Sequence, residues 1–195
     1  MTEPTISFEV VERARQGDQA AFSWLFHRYH PRLAVFLHFH MAEPLRRKYE
    51  LDDVMQELFL RAFRDLPDFV YRGPGAFSRW LFQIARHTVQ DMARFQDRQK
   101  RQAADETPFR SPSNPAGVEP LELKTPSRIL FQKEKIARLM AGLESLPAND
   151  RELVLLAKLE GLSLREISER TGLSKPAASL RLHRALQRLT QQWTT

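Results

Sequence analysis

Five of the chain's 12 prolines fall between Pro108 and Pro126 and divide the sequence into two parts that can each form helices. Proline lacks a backbone N–H and disfavours helix, and the polar stretch around these prolines shows no apolar period. We therefore predict a flexible linker over residues 103–127, between a first domain over 1–102 and a second over 128–195. A chain of 195 residues is long enough for two small domains.

Apolar residues recur with a helical period on both sides of this linker. The clearest run follows the i, i+3, i+4, i+7 rule without a break: Leu51, Val54, Met55, Leu58, Phe59, Ala62, Phe63 and Leu66. Glycine is scarce, with 7 in the chain. The predicted fold is all-α, two small helical domains, with helices near residues 7–16, 18–39, 51–66 and 76–102, then 127–146, 147–160, 163–171 and 174–188.

Composition narrows the class of partner and the compartment. A net charge of +6 and a pI near 10.0 favour polyanionic partners. The absence of cysteine excludes disulfides and thiolate metal sites and is typical of a reducing cytoplasm. Because neither a signal peptide nor an apolar run of about 20 residues is visible, we expect a soluble cytoplasmic protein.

The region from Leu164 to Arg184 predicts a DNA-binding helix-turn-helix. Two short helices flank a turn at Gly172, and Ser163 with Glu166 forms a capping-box pattern before the first of them. No acidic residue follows Arg170, so the second helix can lie against phosphates. The alternative is a helical hairpin with a solvated basic face.

Two patches of opposite charge follow each other in the first domain. Four acidic and no basic residues lie between Glu50 and Glu57, and we predict that this helix face binds a protein partner. Two of these acids also suit a helix N-terminus. No acidic residue occurs from Phe69 to Gln90, where arginines alternate with aromatic residues. This pattern is typical of single-stranded DNA binding, although most of the rings match a buried stripe. Among them, we expect Tyr71, Phe82 and His87 to be exposed.

In these motifs the chain resembles the extracytoplasmic-function (ECF) group of the sigma-70 family. The segment over residues 52–63 resembles the family's D-x-x-Q-E-x-F helix, and residues 73–87 (GPGAFSRWLFQIARH) resemble its G-x-F-x-x-W-L-x-x-I-A-x-N segment. Residues 146–156 and 159–185 resemble its LP-x-x-x-R stretch and its EGLS…RLHRA helix-turn-helix.

The resemblance implies two domains like sigma regions 2 and 4, and a transcription-initiation factor that binds core RNA polymerase and does no chemistry of its own. It implies contacts with the polymerase clamp helices by Asp53, Gln56 and Glu57. The implied contacts with a melted −10 element are Tyr71, Arg72, Phe77, Arg79, Trp80, Arg86, His87 and Arg94. Those with a duplex −35 element are Ser174, Lys175, Ala178, Ser179, Arg181, Arg184 and Arg188. An anti-sigma protein is a further implied partner, and the predicted linker would thread toward the polymerase active-site and RNA-exit channels.

The chain departs from the family pattern in three places. His87 stands where the family often has asparagine, and residues 176–180 (PAASL) replace the common G-T-V-K-S in the recognition helix. The segment over residues 41–49 is longer than usual. Promoter sequence preferences therefore do not follow from the family.

Two other classes of protein share some of these features. A conventional two-domain regulator would share the helix-turn-helix, but its dimerisation or sensing domain has no need of an acidic helix followed by a basic aromatic one. An enzyme or metalloprotein is disfavoured because no catalytic or phosphate-binding fingerprint occurs. The four histidines His27, His30, His38 and His40 lack a carboxylate in register, so we predict no metal and no cofactor.

Overall fold

A computed structural model of the chain describes residues 8–102 and 136–192. The predicted linker and the first part of the helix predicted over 127–146 lie outside the described residues. In the two described ranges every regular element is helical, as the apolar periodicity predicts. No helix in these ranges is both long and apolar enough to cross a membrane.

The first domain contains five helices: α1 (Phe8–Arg15), α2 (Gln19–His40), α3 (Glu43–Arg46), α4 (Leu51–Asp65) and α5 (Ala76–Gln102). A short 3₁₀ turn, Leu66–Asp68, follows α4 and contains Pro67. Four of these helices confirm the sequence prediction to within two residues at each end. The exception is α3, which begins with Pro44 in its first turn and falls within the 41–49 segment.

Helix α2 is the central element of this domain. It begins at Asp18, whose carboxylate accepts a hydrogen bond from the Ala21 N–H at 3.0 Å. That bond, reinforced by Arg13, lowers the pKa of Asp18. The helix continues through Pro31, and its second half is buried on nearly all sides, with Leu33, Val35 and Phe36 inaccessible to solvent. A helix that is apolar all round must be covered on several sides, here by α1, α4, α5 and the second domain.

Helix α3 packs against the second half of α5. The Gln96 side chain donates to the Pro44 carbonyl at 3.0 Å, and the Lys48 ammonium hydrogen-bonds the Gln99 side chain. Through these contacts the 41–49 segment packs against α5 and stabilises its second half.

The second domain contains a helix over residues 136–144 (α6), α7 (Ala148–Val154), α8 (Leu164–Thr171) and α9 (Lys175–Gln192). The helix predicted over 147–160 is α7 followed by a π-helical turn, Leu155–Leu159. Adjacent leucines of this turn join different clusters: Leu155 belongs to the core shared with the first domain, and Leu156 belongs to the core of the helix-turn-helix.

The helix-turn-helix is confirmed in its local details. Ser163 and Glu166 form the complete capping box at the start of α8. Gly172 ends α8 in the left-handed conformation, with φ of +71°, which side chains other than glycine adopt at a cost. The Ser168 hydroxyl donates to the Leu173 carbonyl at 2.5 Å and fixes the turn.

The two domains pack against each other through a common apolar core. Leu143, Leu146 and Leu159 of the second domain belong to the same buried cluster as the α2 residues of the first. The polar contacts at the edge of this cluster decide which surfaces of the first domain remain accessible.

Candidate nucleic-acid interface

The acidic face of α4 is partly free and partly engaged within the domain. Asp53 and Gln56 are exposed. Glu57 instead accepts a hydrogen bond from Arg61 at 2.7 Å, and Arg61 also reaches Asp91 on α5 at 2.8 Å. Burial disfavours the charge on Arg61, but the hydrogen bonds to the two carboxylates outweigh it and raise the pKa. Asp53 and Gln56 are therefore available to a partner, whereas Glu57 pairs within α4 with Arg61, the residue that joins α4 to Asp91 of α5.

One stripe of α5 is at least partly open to solvent. Trp80, His87 and Arg94 are spaced by seven residues and so lie on one side of the helix. His87 and Arg94 are exposed, and Trp80 is half-buried. The Trp80 ring lies 5.1 Å from the ring of Phe69, which fixes its orientation. The stripe thus presents a fixed aromatic edge, a ring nitrogen and a cation in a row.

The loop before α5 carries two further residues predicted to contact the −10 element. Arg72 is exposed, and the half-buried Tyr71 packs edge-on against Phe8 with ring centroids 5.1 Å apart. Gly73 and Gly75 both have positive φ. A Cβ at Gly75 would also lie 2.9 Å from Nη1 of Arg79, so the glycine allows the arginine to fold back over the loop.

A second stripe of α5 is covered by the other domain. Arg79 and Arg86 are also seven residues apart. Nη2 of Arg86 donates to Oε1 of Glu160 at 2.6 Å, and Nε of Arg79 lies 4.0 Å from Oε1 of Glu166. Two of the arginines predicted to contact the −10 element are thus paired with carboxylates of the second domain.

Two aromatic residues of α5 lie in the core. Phe82 is fully buried, so the prediction that it is exposed is wrong. Its ring packs against Phe36 of α2 at 5.2 Å, on the side of α5 that faces the domain interior. Phe77, predicted as a −10 contact, is also buried and packs against Tyr29, Phe69 and Trp80, so its ring is not exposed to a ligand in this arrangement.

The exposed face of α9 carries several of the residues predicted to contact the −35 element. Lys175, Ser179 and Arg184 are exposed. Ser174 precedes the helix, and its hydroxyl accepts from the Ala177 N–H at 3.4 Å. Ala178 is fully buried against α7 and α8, so it packs the helix-turn-helix and cannot reach a base edge.

Two arginines of α9 pair with a carboxylate of α7 while remaining partly exposed. Arg181 donates twice to Oδ1 of Asp150, at 2.8 and 3.1 Å, and Arg188 donates to Oδ2 at 3.1 Å. The Asp150 side chain is 13% exposed, whereas those of Arg181 and Arg188 are 37% and 54% exposed. Asp150 therefore sets the position of both arginines, and the sequence analysis missed it.

The centre of the exposed α9 face was also missed. Leu180, His183 and Gln187 are exposed there. The signal was present in the sequence, because the buried side of the helix is Ala178, Leu182, Ala185 and Leu189, and the opposite side follows from its periodicity.

The histidines of α2 have separate structural partners. Nε2 of His38 lies 2.9 Å from Glu144 of α6, and Nδ1 of His40 lies 2.9 Å from the Phe36 carbonyl. Burial lowers the pKa of His40, and burial likewise lowers that of His30. Within the described ranges no three His, Cys, Asp or Glu side chains are grouped to hold a metal ion.

Comparison with known protein families identifies both domains. The family model described as sigma-70 region 2 matches residues 25–99, and the model described as sigma-70, region 4 matches residues 136–189. The first match contains α4 and most of α5, and the second contains the helix-turn-helix.

Two relatives agree with these family matches over most of the chain. The chain is 30% identical over 168 residues to the ECF RNA polymerase sigma-E factor of Escherichia coli K12, which covers 86% of this chain and 84% of that protein. It is 29% identical over 170 residues to the protein of the same name from Haemophilus influenzae, covering 87% and 85%.

Among solved structures, CnrH in complex with the cytosolic domain of CnrY matches with 25% identity and a TM-score of 0.47 over 95% of each chain. The RsbN–BldN complex matches with 23% identity and a TM-score of 0.36, over 93% of this chain and 98% of that one. By its two family models and its sigma-E relatives, the chain belongs to the sigma-70 family, in the ECF group of sigma factors.

Proposed function

We propose that this chain is a promoter-specificity subunit, which binds core RNA polymerase, directs it to promoters and assists DNA opening. The observation that carries the proposal is the combination, in one ECF-family chain, of an acidic α4 face, an exposed aromatic and cationic stripe on α5, and a helix-turn-helix. A regulator that acts alone would need only the last of these three.

Polymerase binding is assigned to the exposed part of the acidic α4 face. Asp53 and Gln56 lie one turn apart on α4 and are open to solvent. Glu57 contributes indirectly, because it pairs with the Arg61 guanidinium that also contacts Asp91 of α5.

Contact with the melted −10 element is assigned to the α5 stripe of Trp80, His87 and Arg94, together with Arg72 and Tyr71 of the preceding loop. An unpaired base can stack on a fixed ring while an arginine contacts its phosphate. Unstacking a base from the duplex costs a few kcal/mol, and this stacking would offset the cost. Arg79 and Arg86 lie on the adjacent stripe and join the interface once they are released from the second domain.

Recognition of the −35 element is assigned to the exposed face of α9. Lys175, Ser179 and Arg184, with Leu180 and His183 between them, can enter a major groove. Arg181 and Arg188 are fixed by Asp150 and would neutralise phosphates from the edge of this face.

The proposed mechanism consists of binding steps without a catalytic step, and it would act on promoter DNA in the cytoplasm. An anti-sigma protein remains a prediction from the family, with no residue assigned to it.

A quantitative binding measurement with core RNA polymerase tests the proposal. The Asp53→Ala, Gln56→Ala double variant should bind core polymerase about ten-fold more weakly, a typical loss for truncating central interface residues. Gln19→Ala, an exposed glutamine on α2, is the matched control and should bind as the wild type does. Undiminished binding by the double variant would contradict the α4 assignment. A wild-type chain that binds promoter DNA but no polymerase would instead be a conventional regulator.

A further inference from the structure

The outward face of α9 carries a large apolar side chain at its centre. Leu180 is 50% exposed, although leucine is among the residues that folded chains most often bury. The inward side of the helix is formed by Ala178, Leu182 and Ala185, and with 3.6 residues per turn Leu180 lies opposite them. The helix therefore presents this leucine on the side turned away from the core of its own domain.

Two smaller apolar residues lie beside Leu180 on the same face. Pro176 is four residues before it and exposed, and Ala177 is three residues before it and half-buried. At these spacings side chains are neighbours on a helix surface. The common ECF pattern has threonine at position 177 and serine at position 180, so this chain replaces two hydroxyl groups with apolar groups. Pro176, Ala177 and Leu180 are called the apolar strip below.

A single exposed leucine is common on protein surfaces, and what distinguishes this one is the charge around it. Lys175 precedes the apolar strip and Arg184 follows it, and both are exposed. Arg181 and Arg188 lie along one edge, where Asp150 fixes them. Helix α9 itself contains no acidic residue over Lys175–Gln192. The strip therefore fits a surface that is apolar in its centre and anionic on both sides.

The major groove of duplex DNA is such a surface where it contains a thymine. The C5 methyl group of thymine projects into a groove about 12 Å wide, between two phosphate backbones, and the first turns of a recognition helix meet the base edges there. Against the polar edge of another base, Leu180 would displace water from donors and acceptors without replacing their hydrogen bonds. Against a methyl group it displaces water from two apolar surfaces, which is favourable.

We propose that Leu180 determines specificity for a thymine in the −35 element, by packing against the C5 methyl group of that base in the major groove. The assignment rests on the proposed function, because it requires α9 to enter duplex DNA. Lys175 and Arg184 would contact the flanking phosphates and set the register of the helix on the duplex. The upstream element of this chain should therefore differ from that of ECF factors that have serine at this position.

The expected effect is that of one buried methyl group. Loss of one such group from an apolar contact lowers affinity about four-fold. Deoxyuridine differs from thymidine only in lacking the C5 methyl group, so replacing one by the other leaves the donors and acceptors in the groove unchanged. The replacement therefore separates the methyl contact from every polar contact.

The test uses the full chain reconstituted with core RNA polymerase. The wild-type complex first selects a promoter fragment from a randomised library, and each thymine of the upstream element is then replaced in turn by deoxyuridine. Leu180→Asn keeps the approximate size of the side chain but makes it polar, whereas Leu180→Met keeps it apolar. Leu164→Asn makes the same change at an exposed leucine of α8 and is the matched control. Thermal unfolding checks that each variant is folded.

We expect one deoxyuridine position at which the wild-type complex binds about four-fold more weakly, with the same loss in Leu180→Met and Leu164→Asn. Leu180→Asn should bind the thymine and deoxyuridine fragments equally. A wild-type complex that tolerates deoxyuridine throughout the element, or a four-fold loss that persists in Leu180→Asn, would overturn the contact. So would weaker binding of Leu180→Asn to core polymerase with unchanged discrimination, because Leu180 would then face a protein. Failure of the wild-type complex to select any upstream element would instead refute the proposed function.

Discussion

Asp150→Ala removes the carboxylate that fixes two arginines of the proposed recognition helix. In the native chain Asp150 accepts two hydrogen bonds from Arg181 and one from Arg188, all between 2.8 and 3.1 Å. The substitution leaves both guanidinium groups without this partner and removes the polar link between α7 and α9.

The expected loss follows from burial. A hydrogen bond to a charged group contributes about 1.5–3 kcal/mol, and an exposed ion pair contributes about 0–1 kcal/mol. Asp150 is largely buried, but the Arg181 and Arg188 side chains are 37% and 54% exposed. Solvent therefore screens both ion pairs, and both guanidinium groups can bind water when the Asp150 carboxylate is removed. We expect the free energy of unfolding to fall by about 2 kcal/mol, which lowers Tm by about 4–8 °C in a chain of this size.

Thermal and urea unfolding of the full chain, followed by circular dichroism, measure this loss. The control is Glu169→Gln, whose exposed pair with Arg165 lies within α8 and should contribute no measurable stability. A duplex-binding assay should show weaker −35 binding by the Asp150→Ala variant below its Tm, because the two arginines are no longer held in place. An unchanged Tm would refute the assignment of Asp150 as the organising residue of this domain.

Three further predictions concern single positions. Gly172→Ala should destabilise the helix-turn-helix by about 1–2 kcal/mol through its left-handed backbone alone, since a Cβ there meets no atom within 4 Å; an unchanged Tm would contradict this. Burial lowers the pKa of His40 below its ordinary 6.5, so the unfolded chain binds a proton at this histidine more readily than the folded chain does. The stability that the folded chain derives from a neutral His40 is therefore complete above about pH 6.5 and is lost as the pH falls. His40→Phe should therefore weaken the pH dependence of unfolding between pH 7.5 and 5.5, and an identical dependence in both proteins would refute the burial argument. Arg184→Ala should weaken −35 duplex binding by about 1 kcal/mol without changing Tm, because Arg184 is exposed. Arg181→Ala should lower both the duplex affinity and Tm, because Arg181 is paired with Asp150. If Arg184→Ala lowered Tm and Arg181→Ala did not, these two assignments would be wrong.

Features encoded locally could be predicted from the sequence. The apolar repeat of α4 and the capping box at Ser163 depend on residues within a few positions of each other, and the structure confirms both. The left-handed turn at Gly172 belongs to the same class, because a glycine just after a helix indicates a left-handed backbone at that position.

Features that depend on distant partners could not be predicted. Asp150 and Arg181 are 31 positions apart, and Arg86 and Glu160 are 74 apart, so neither pairing leaves a periodic signal. Phe82 was assigned to the wrong side of α5, because an aromatic residue between arginines suits either a solvent-facing stripe or a buried one. Helix α3 is four residues long, too short for a period, and is stabilised by its contacts with α5.

Initiation of transcription by a reconstituted complex tests the central claim most directly. Purified chain and core RNA polymerase would be incubated with a library of randomised promoters, and the 5′ ends of the transcripts sequenced. We predict discrete start sites that require the chain, preceded by two sequence elements at fixed spacing, with the upstream element altered or lost in Arg184→Ala. A folded chain that binds core polymerase yet produces no start site beyond those of the core enzyme alone would contradict the assignment.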